Sequence, residues 1–175
     1  AFTITKTNIV ASGMTTGIAS NNNTLLNMIT VNTQSKDISW SFNSGNEYFK
    51  YLPAGETLTL TYTIKVTDAN NGTSNKTITI EIVGINDPVT HNSPATIYYM
   101  DTDGADNFAT TSGRLTASDI DSGTSFIYGI DGATSNGDGT FTKVGTYGTL
   151  VINSLTGNYV YTPNSTVINS LSVSA

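Results

Sequence analysis

Acidic residues at two places in the chain have the type and spacing of calcium ligands. Asp119 and Asp121 form an Asp-x-Asp motif, and Asn86-Asp87 ends a run of alternating apolar residues near the middle of the sequence. In an extended segment, residues i and i+2 point to the same side, so both aspartates could face one ion. Calcium is a hard cation that takes roughly six to eight oxygen ligands. The alternative is that these residues form turns, where their side chains accept backbone hydrogen bonds.

Other aspartates lie in stretches rich in glycine and asparagine. Asp68 precedes Asn70-Asn71-Gly72, and Asp131 and Asp138 lie within the segment 131–139. That segment superficially resembles a calcium loop, but it lacks the terminal glutamate and the flanking helices of an EF-hand. We therefore predict turns at these three aspartates and a hairpin loop over 131–139.

The composition excludes several other kinds of site. The 175-residue chain has no cysteine, and His91 is its only histidine, so disulfides, thiolate metal sites and multi-histidine centres cannot form within it. The net charge of −6 and the seven basic residues argue against a nucleic-acid partner and favour cations. No apolar run approaches the roughly 20 residues of a membrane-spanning helix, so membrane insertion is not expected.

The sequence also lacks the signals of export and of catalysis. No N-terminal signal peptide is visible, which implies an internal piece of a longer protein or export by another signal. No Gly-x-Ser-x-Gly elbow accompanies the many serines, and a lone histidine is typically a solvated one. We predict that the chain is not an enzyme.

Alternation of apolar and polar residues predicts the elements that hold these side chains. The clearest strand places every second side chain on one face: Leu58, Leu60, Tyr62, Ile64 and Val66. A second strand over 77–83 follows the turn cluster 68–74, so the two form a hairpin. Earlier strands are predicted over 2–10, 25–31 and 38–42, with Trp40 as a core anchor.

The second half has the same character. Short strands are predicted over 97–100, 113–116, 126–130, 140–144, 149–152 and 158–162, and no stretch has a convincing helical period. Short strands separated by Gly, Asn and Asp turns are typical of all-β sandwiches. A long strand ends at 84–88, where Pro88 cannot donate to a ladder. We therefore predict two tandem β-sandwich domains, at residues 1–88 and 89–175.

Several segments of both halves resemble VCBS repeats. Residues 52–68 (LPAGETLTLTYTIKVTD) and 77–88 (TITIEIVGINDP) resemble the closing half of one repeat. Residues 113–123 (GRLTASDIDSG), 145–150 (GTYGTL) and 155–161 (LTGNYVY) resemble the opening half of the next. The resemblance implies Ig-like or cadherin-like β-sandwiches, repeated in tandem in large bacterial adhesins of the RTX type.

The same resemblance implies a function, a location and partners. Such repeats are non-catalytic extender modules that hold an adhesive tip away from the cell, in cell adhesion or biofilm formation. They are extracellular, at the bacterial surface and typically in Gram-negative organisms. Their partners are neighbouring repeats of the same polypeptide and, through other regions, a host-surface or matrix ligand. We expect a monomer in solution with Ca²⁺ as its cofactor.

Cadherins indicate how the ion would be held. There, a glutamate, a terminal Asn-Asp and a later Asp-x-Asp share ions at the joint between domains. Carried over, this motif assigns side-chain oxygens or a carbonyl to Glu56, Asn86, Asp87, Asp119 and Asp121, with Asp101 or Asp103 in place of another acidic residue. Cadherins have acidic residues where this chain has Gly84 and near Ala54, so one ion is implied and not three.

The end of the second half departs from the family pattern. It has no counterpart of the Leu-x-x-Gly-Glu strand or of the final Asn-Asp-Pro strand, and a sandwich without them would expose its core. Either the sequence stops early, or the second unit is a shorter variant, or another chain supplies strands.

Two rival functions remain open. The chain is a carbohydrate- or host-protein-binding module if its tyrosines form a stacking platform, although alternating aromatics more often belong to a core: Tyr98, Tyr99, Tyr147, Tyr159 and Tyr161. It is a glycosidase fragment or accessory domain if two carboxylates face each other across a cleft.

Overall fold

The computed structural model describes residues 2–34, 37–45 and 49–171. Over these residues the fold is all-β, as predicted, with two short helices. The chain forms two compact units: unit 1 comprises Ala1–Pro88 and Asp119–Thr124, and unit 2 comprises Val89–Ser118 and Ser125–Ala175. The predicted pair of independent sandwich domains stays a prediction.

Unit 1 is built from a three-stranded sheet, a two-stranded hairpin and a short helix. Its elements are β1 (Phe2–Gly13), α1 (Asn22–Asn27), β2 (Ile29–Gln34), β3 (Asp37–Phe42), β4 (Thr57–Asp68) and β5 (Thr73–Val83). The sheet has the order β1-β4-β5, with β4 antiparallel to both neighbours, and β2 pairs with β3.

The core of unit 1 lies on one face of β4. The strand alternates as the sequence predicts, with Leu58, Leu60, Tyr62 and Ile64 all buried. They pack with side chains from α1, β2 and the segment before β4: Leu25, Met28, Ile29, Tyr51 and Leu52. The Tyr62 hydroxyl donates to the carbonyl of Leu25 at 3.0 Å, so the largest core side chain keeps its polar atom paired.

Strand β1 contains a β-bulge. Its pairing with β4 shifts register between Lys6 and Asn8, which leaves Thr7 opposite no partner. Ile4 and Ile9 are an odd number of residues apart, so in a regular strand they would point to opposite faces. The extra residue restores the phase, and both isoleucines contact the core.

Unit 2 is built from a five-stranded antiparallel sheet, a short strand pair and a helix. Its elements are β6 (Thr90–His91), β7 (Thr111–Arg114), β8 (Ala117–Ser118), β9 (Thr134–Ser135), β10 (Thr140–Gly145), β11 (Gly148–Asn153), β12 (Asn158–Pro163) and α2 (Ser165–Ile168). The large sheet has the order β7-β12-β11-β10-β9, and β6 pairs with β8. The strands predicted over 149–152 and 158–162 correspond to β11 and β12, which pair as an antiparallel hairpin.

Few side chains of unit 2 are fully buried. Among its described residues, the buried hydrophobic side chains are Ile152 on β11 and Ile168 on α2. Unit 1 buries ten such side chains in one cluster. The sheet of unit 2 therefore leaves apolar surface that the described residues of the unit do not cover.

The two helices were not predicted. Both are shorter than two turns, so a helical period cannot show in them. Each begins with a signal that single residues carry: the side chains of Asn21 and Asn164 accept from the backbone N–H of Thr24 at 3.0 Å and of Val167 at 3.3 Å. Asparagine is a strong N-cap residue, so Asn21 and Asn164 were the sequence signals that could have predicted the two helices.

Four of the predicted features are wrong in detail. The segment 25–31 holds the end of α1 and the start of β2, and neither 97–100 nor 126–130 is a strand. Trp40 is 47% exposed and is not a core anchor. The β2–β3 hairpin meets β4 through Phe42, whose ring centroid lies 6.4 Å from that of Tyr62, and not through Trp40.

Candidate functional site

A segment of the second half of the sequence is part of unit 1. Asp119–Thr124 groups with unit 1, although the residues on both sides of it belong to unit 2. The backbone N–H of Ser122 donates to the carbonyl of Tyr51 at 2.8 Å, and its hydroxyl makes a longer contact of 3.5 Å with the carbonyl of Thr16. The Asp-x-Asp motif is thereby brought to the end of β5, where Asp87 lies.

Asp121 is the central side chain of this segment. It is 6% exposed, and its Oδ2 accepts from the backbone N–H of Asp87 at 3.0 Å. Its Oδ1 is buried and has no hydrogen-bond partner in the part of the chain that the structure describes. An unpaired oxygen on a buried carboxylate is costly, and a hydrogen-bond donor or a cation at this atom would lower that cost.

The side chain of Asp119 holds the backbone of Asp121 in a turn. Its Oδ1 accepts from the N–H of Asp121 at 2.9 Å, which is an Asx turn. The hydroxyl of Thr124 donates to the carbonyl of Asp121 at 2.9 Å, and Gly123 closes the turn with a φ of 79°. The turn role is thus present at Asp119, while a metal role for its second oxygen remains a prediction.

Gly17 makes room for the segment. Its φ is 109°, a conformation that residues with a Cβ rarely adopt. A Cβ at Gly17 would lie 2.6 Å from the ring of Tyr51 and 3.0 Å from Oγ of Ser122. The absence of a side chain here allows the ring of Tyr51 and the 119–124 segment to approach the loop after β1.

The other predicted ligands are less closely connected. Glu56 is exposed, and its carbonyl accepts from the N–H of Gly84 at 2.8 Å. The amide Nδ2 of Asn86 donates to the carbonyl of Asp87 at 2.7 Å. Within the described ranges, no group of three or more His, Cys, Asp or Glu side chains is arranged to hold a metal ion.

Asp101 and Asp103 lie in unit 2. Asp101 is partly buried, and its Oδ1 is a buried atom without a hydrogen-bond partner among the described residues. Asp103 is exposed. Asp106, which the sequence reasoning did not single out, accepts from the N–H of Thr102 at 2.6 Å, so this stretch contains a side-chain-supported turn.

The turn predictions at two other aspartates are confirmed. Oδ1 of Asp68 accepts from the N–H groups of Asn70 and Gly72, both at 2.8 Å. Oδ1 of Asp138 accepts from the hydroxyl of Thr140 at 2.6 Å and from its N–H at 2.9 Å, and these bonds lower the pKa of the Asp138 carboxyl. The hairpin loop predicted over 131–139 is shorter than expected: Thr134–Ser135 form β9, and residues 136–139 connect it to β10.

Some of the tyrosines considered as a sugar-stacking platform line a groove in unit 2. Tyr98 is exposed, whereas Tyr99, Tyr159 and Tyr161 are half-buried along a groove of about 430 Å³ in unit 2. The rings of Tyr99 and Tyr161 stack with centroids 6.3 Å apart. Aliphatic side chains line the rest of this groove, including Leu115, Leu150 and Ile152.

Comparison with known proteins adds no relative. No protein-family model, no curated protein and no solved structure matches the chain. The resemblance to VCBS repeats therefore stays a prediction from sequence. Neither α1, α2 nor any other helical segment in the described ranges has the length and apolarity needed to cross a membrane.

Proposed function

We propose that the chain is a non-catalytic structural module, an extender of a large bacterial surface adhesin, stabilised by calcium. The all-β architecture in two units supports this proposal, because extender repeats of the proposed kind are β-sheet domains arranged in tandem. The single observation that carries the calcium part is the buried Oδ1 of Asp121 without a partner in the described structure.

A hard cation fits the chemistry of this place. Asp121 supplies a buried carboxylate oxygen, and the Asx turn holds Asp119 two residues away. The backbone N–H of Asp87 donates to the carboxylate of Asp121, so the Asp87 side chain is attached to backbone that lies next to that carboxylate. These oxygens, with carbonyls and water, belong to the ligand type that calcium takes.

We propose that Asp121 anchors the ion. The side chains of Asp119, Asp87 and Glu56 are not gathered around it in the described structure, so they and Asn86 would have to turn toward the ion to supply further oxygens. Calcium would supply positive charge that offsets the cost of burying Asp121. The ion would also fasten the 119–124 segment to the end of β5 within unit 1. Asp101 and Asp103 remain candidates for a separate contribution from unit 2.

Thermal unfolding of the intact chain tests the calcium site. At a calcium concentration about 100 times Kd, binding adds about 2.7 kcal/mol. For a chain of this size that corresponds to a rise in Tm of roughly 5–10 °C over a chelated sample. Asp121→Asn keeps an oxygen acceptor for Asp87 but removes the charge, so it should abolish the rise.

The matched control is Asp131→Asn, which removes the same charge from an exposed loop of unit 2 and should leave the calcium response intact. Equal Tm with calcium and with chelator, in the unmodified chain, would refute the calcium site. The extender role is tested separately by small-angle scattering, where calcium should narrow the distribution of interatomic distances of the intact chain.

A further inference from the structure

The sheet of unit 2 has an apolar face that its own elements leave open. The groove of about 430 Å³ lies on this face, where Leu150 and Ile152 of β11 pair with Tyr161 and Tyr159 of β12. Tyr159 lies across Gly113 of β7, where a Cβ would come within 2.5 Å of the ring. In β-sandwiches, a second layer of secondary structure covers an apolar face of this kind.

Units 1 and 2 share a spacing of apolar residues, and in unit 1 this spacing precedes two further strands. Four apolar residues at identical intervals define the correspondence: Trp40, Phe42, Phe49 and Leu52 in unit 1, and Tyr159, Tyr161, Ile168 and Leu171 in unit 2. The first two residues of each set lie on a strand, β3 or β12. In unit 1 the next elements are β4 and β5.

The covering of unit 1 shows what the equivalent face of unit 2 lacks. Phe42 contacts Tyr62 of β4, and its counterpart Tyr161 lines the open groove. Leu52 is 1% exposed in unit 1, whereas its counterpart Leu171 is 51% exposed. Of the four positions, that of Leu52 and Leu171 is buried beside the β4–β5 hairpin and exposed without one. Trp40 is 47% exposed in unit 1 and Ile168 is 8% exposed in unit 2, so these two positions do not follow that difference.

We propose that the groove of unit 2 is closed by a β-hairpin of the β4–β5 type, contributed by a neighbouring part of the same polypeptide. Its alternating apolar side chains would fill the groove and its threonines would face water, as two packed sheets of a sandwich require. This inference rests on the proposed function, in which the chain is one section of a repeat array. A sugar fits less well, because the lining is mainly aliphatic.

The test extends the intact chain and follows the groove. A copy of residues 57–86 is fused directly after Ala175, since Trp40 to Glu56 and Tyr159 to Ala175 have the same length. The control fusion carries threonine at the copies of Leu58, Leu60, Tyr62 and Ile64, which keeps strand propensity and removes the apolar face. Hydrogen exchange of β11 and β12 and binding of an apolar fluorescent dye are measured.

The fused hairpin should slow amide exchange in β11 and β12 at least about tenfold and abolish dye binding, while the threonine control does neither. Equal exchange in the two fusions would overturn the proposal. So would self-association of the unextended chain that protects the same strands, or a glycan that protects them and loses its effect on Tyr159→Ala.

A peptide of residues 57–86 added to the unextended chain identifies the source. A neighbouring segment acts at millimolar effective concentration, so the free peptide should protect only at far higher concentration than the fusion implies. Protection at micromolar free peptide would place the hairpin on a separate partner. The calcium response of the same samples is measured in parallel, so a failed hairpin with an intact calcium shift leaves the proposed function standing.

Discussion

The backbone N–H of Asp87 donates to Oδ2 of Asp121 at 3.0 Å across 34 residues of sequence. This bond joins the last residues after β5 to a segment that the chain reaches only after passing through β6, β7 and β8. Among the described residues of unit 1, it brings together acidic residues from two distant parts of the sequence. The behaviour of Asp121 is therefore the most direct probe of how unit 1 is completed.

Substitution of Asp121 should separate its hydrogen bond from its charge. In chelator, Asp121→Ala leaves the partly buried N–H of Asp87 without its acceptor and should lower the free energy of unfolding by about 1–3 kcal/mol. Asp121→Asn keeps the acceptor and removes a buried charge, so it should be neutral or stabilising. Urea unfolding measures both, and a larger loss for the asparagine variant than for the alanine variant would contradict the assignment.

Gly17→Ala should destabilise unit 1 by about 1–3 kcal/mol, through its positive φ and through a clash with Tyr51 and Ser122. Gly55→Ala is the matched control, because Gly55 has a φ of 82° and nothing within 4 Å of the added Cβ. The difference between their thermal unfolding curves isolates the clash. Equal losses would show that the segment yields without cost.

Alkaline pH should weaken unit 1 through Tyr62. Burial raises the pKa of Tyr62 from its ordinary value of 10.0 to about 12. The neutral form is favoured in the fold, so this contribution to stability is complete below pH 10 and is lost as pH rises through 12. At about 1.4 kcal/mol per pKa unit, the loss is roughly 2–3 kcal/mol.

Tyr62→Phe tests this pH dependence. It removes one of two hydrogen bonds that the carbonyl of Leu25 accepts, the other coming from the N–H of Met28 at 3.1 Å. This should cost about 1 kcal/mol at neutral pH, and it should flatten the decline between pH 10 and 12. Tyr147→Phe, at a ring that is about half exposed, should leave the decline unchanged. Chemical denaturation at several pH values decides between them.

Deletion of Thr7 should be tolerated. It removes the unpaired residue of the bulge, and Ile4 and Ile9 are then an even number of residues apart and stay on the core face. We expect a change of less than about 1 kcal/mol. Deletion of Val10 instead puts Ile9 out of phase with Ala11 and should cost about 1.5–3 kcal/mol, the value of a buried isoleucine. Similar losses on urea unfolding would contradict the role of the bulge.

The sequence predicts well which side chains of a segment face the interior, and it predicts poorly which segments pair as strands. The alternation in β4 identifies its buried face because every second residue there is apolar and the strand has neighbours on both sides. Ile97 and Tyr99 also face the groove while Tyr98 and Met100 face solvent, yet 97–100 forms no strand. Local alternation indicates which side chains face the interior. Whether a segment pairs with another strand depends on residues far along the chain.

The candidate site shows the same division. The Asp-x-Asp motif and Asn86-Asp87 could be paired from sequence, because carboxylates near a predicted strand end suggest a common ligand. The sequence did not indicate that Asp121 would be buried, since its burial depends on Tyr51 and Gly17, which carry no local signal of a contact with 119–124. The Asx turn at Asp119 agrees with the turn alternative that the sequence left open for these aspartates, and it supports Asp121 through the backbone.

The membership of Asp119–Thr124 in unit 1 has a consequence for biosynthesis. During translation, β1 to β5 leave the ribosome and can pair before the segment that completes them exists. The acceptor of the Asp87 N–H and the donor to the Tyr51 carbonyl arrive only after a further stretch of nascent chain has emerged. Late contacts of large sequence separation are slow to form, so unit 1 spends part of its synthesis with an unfinished seam that a chaperone or a protease can reach.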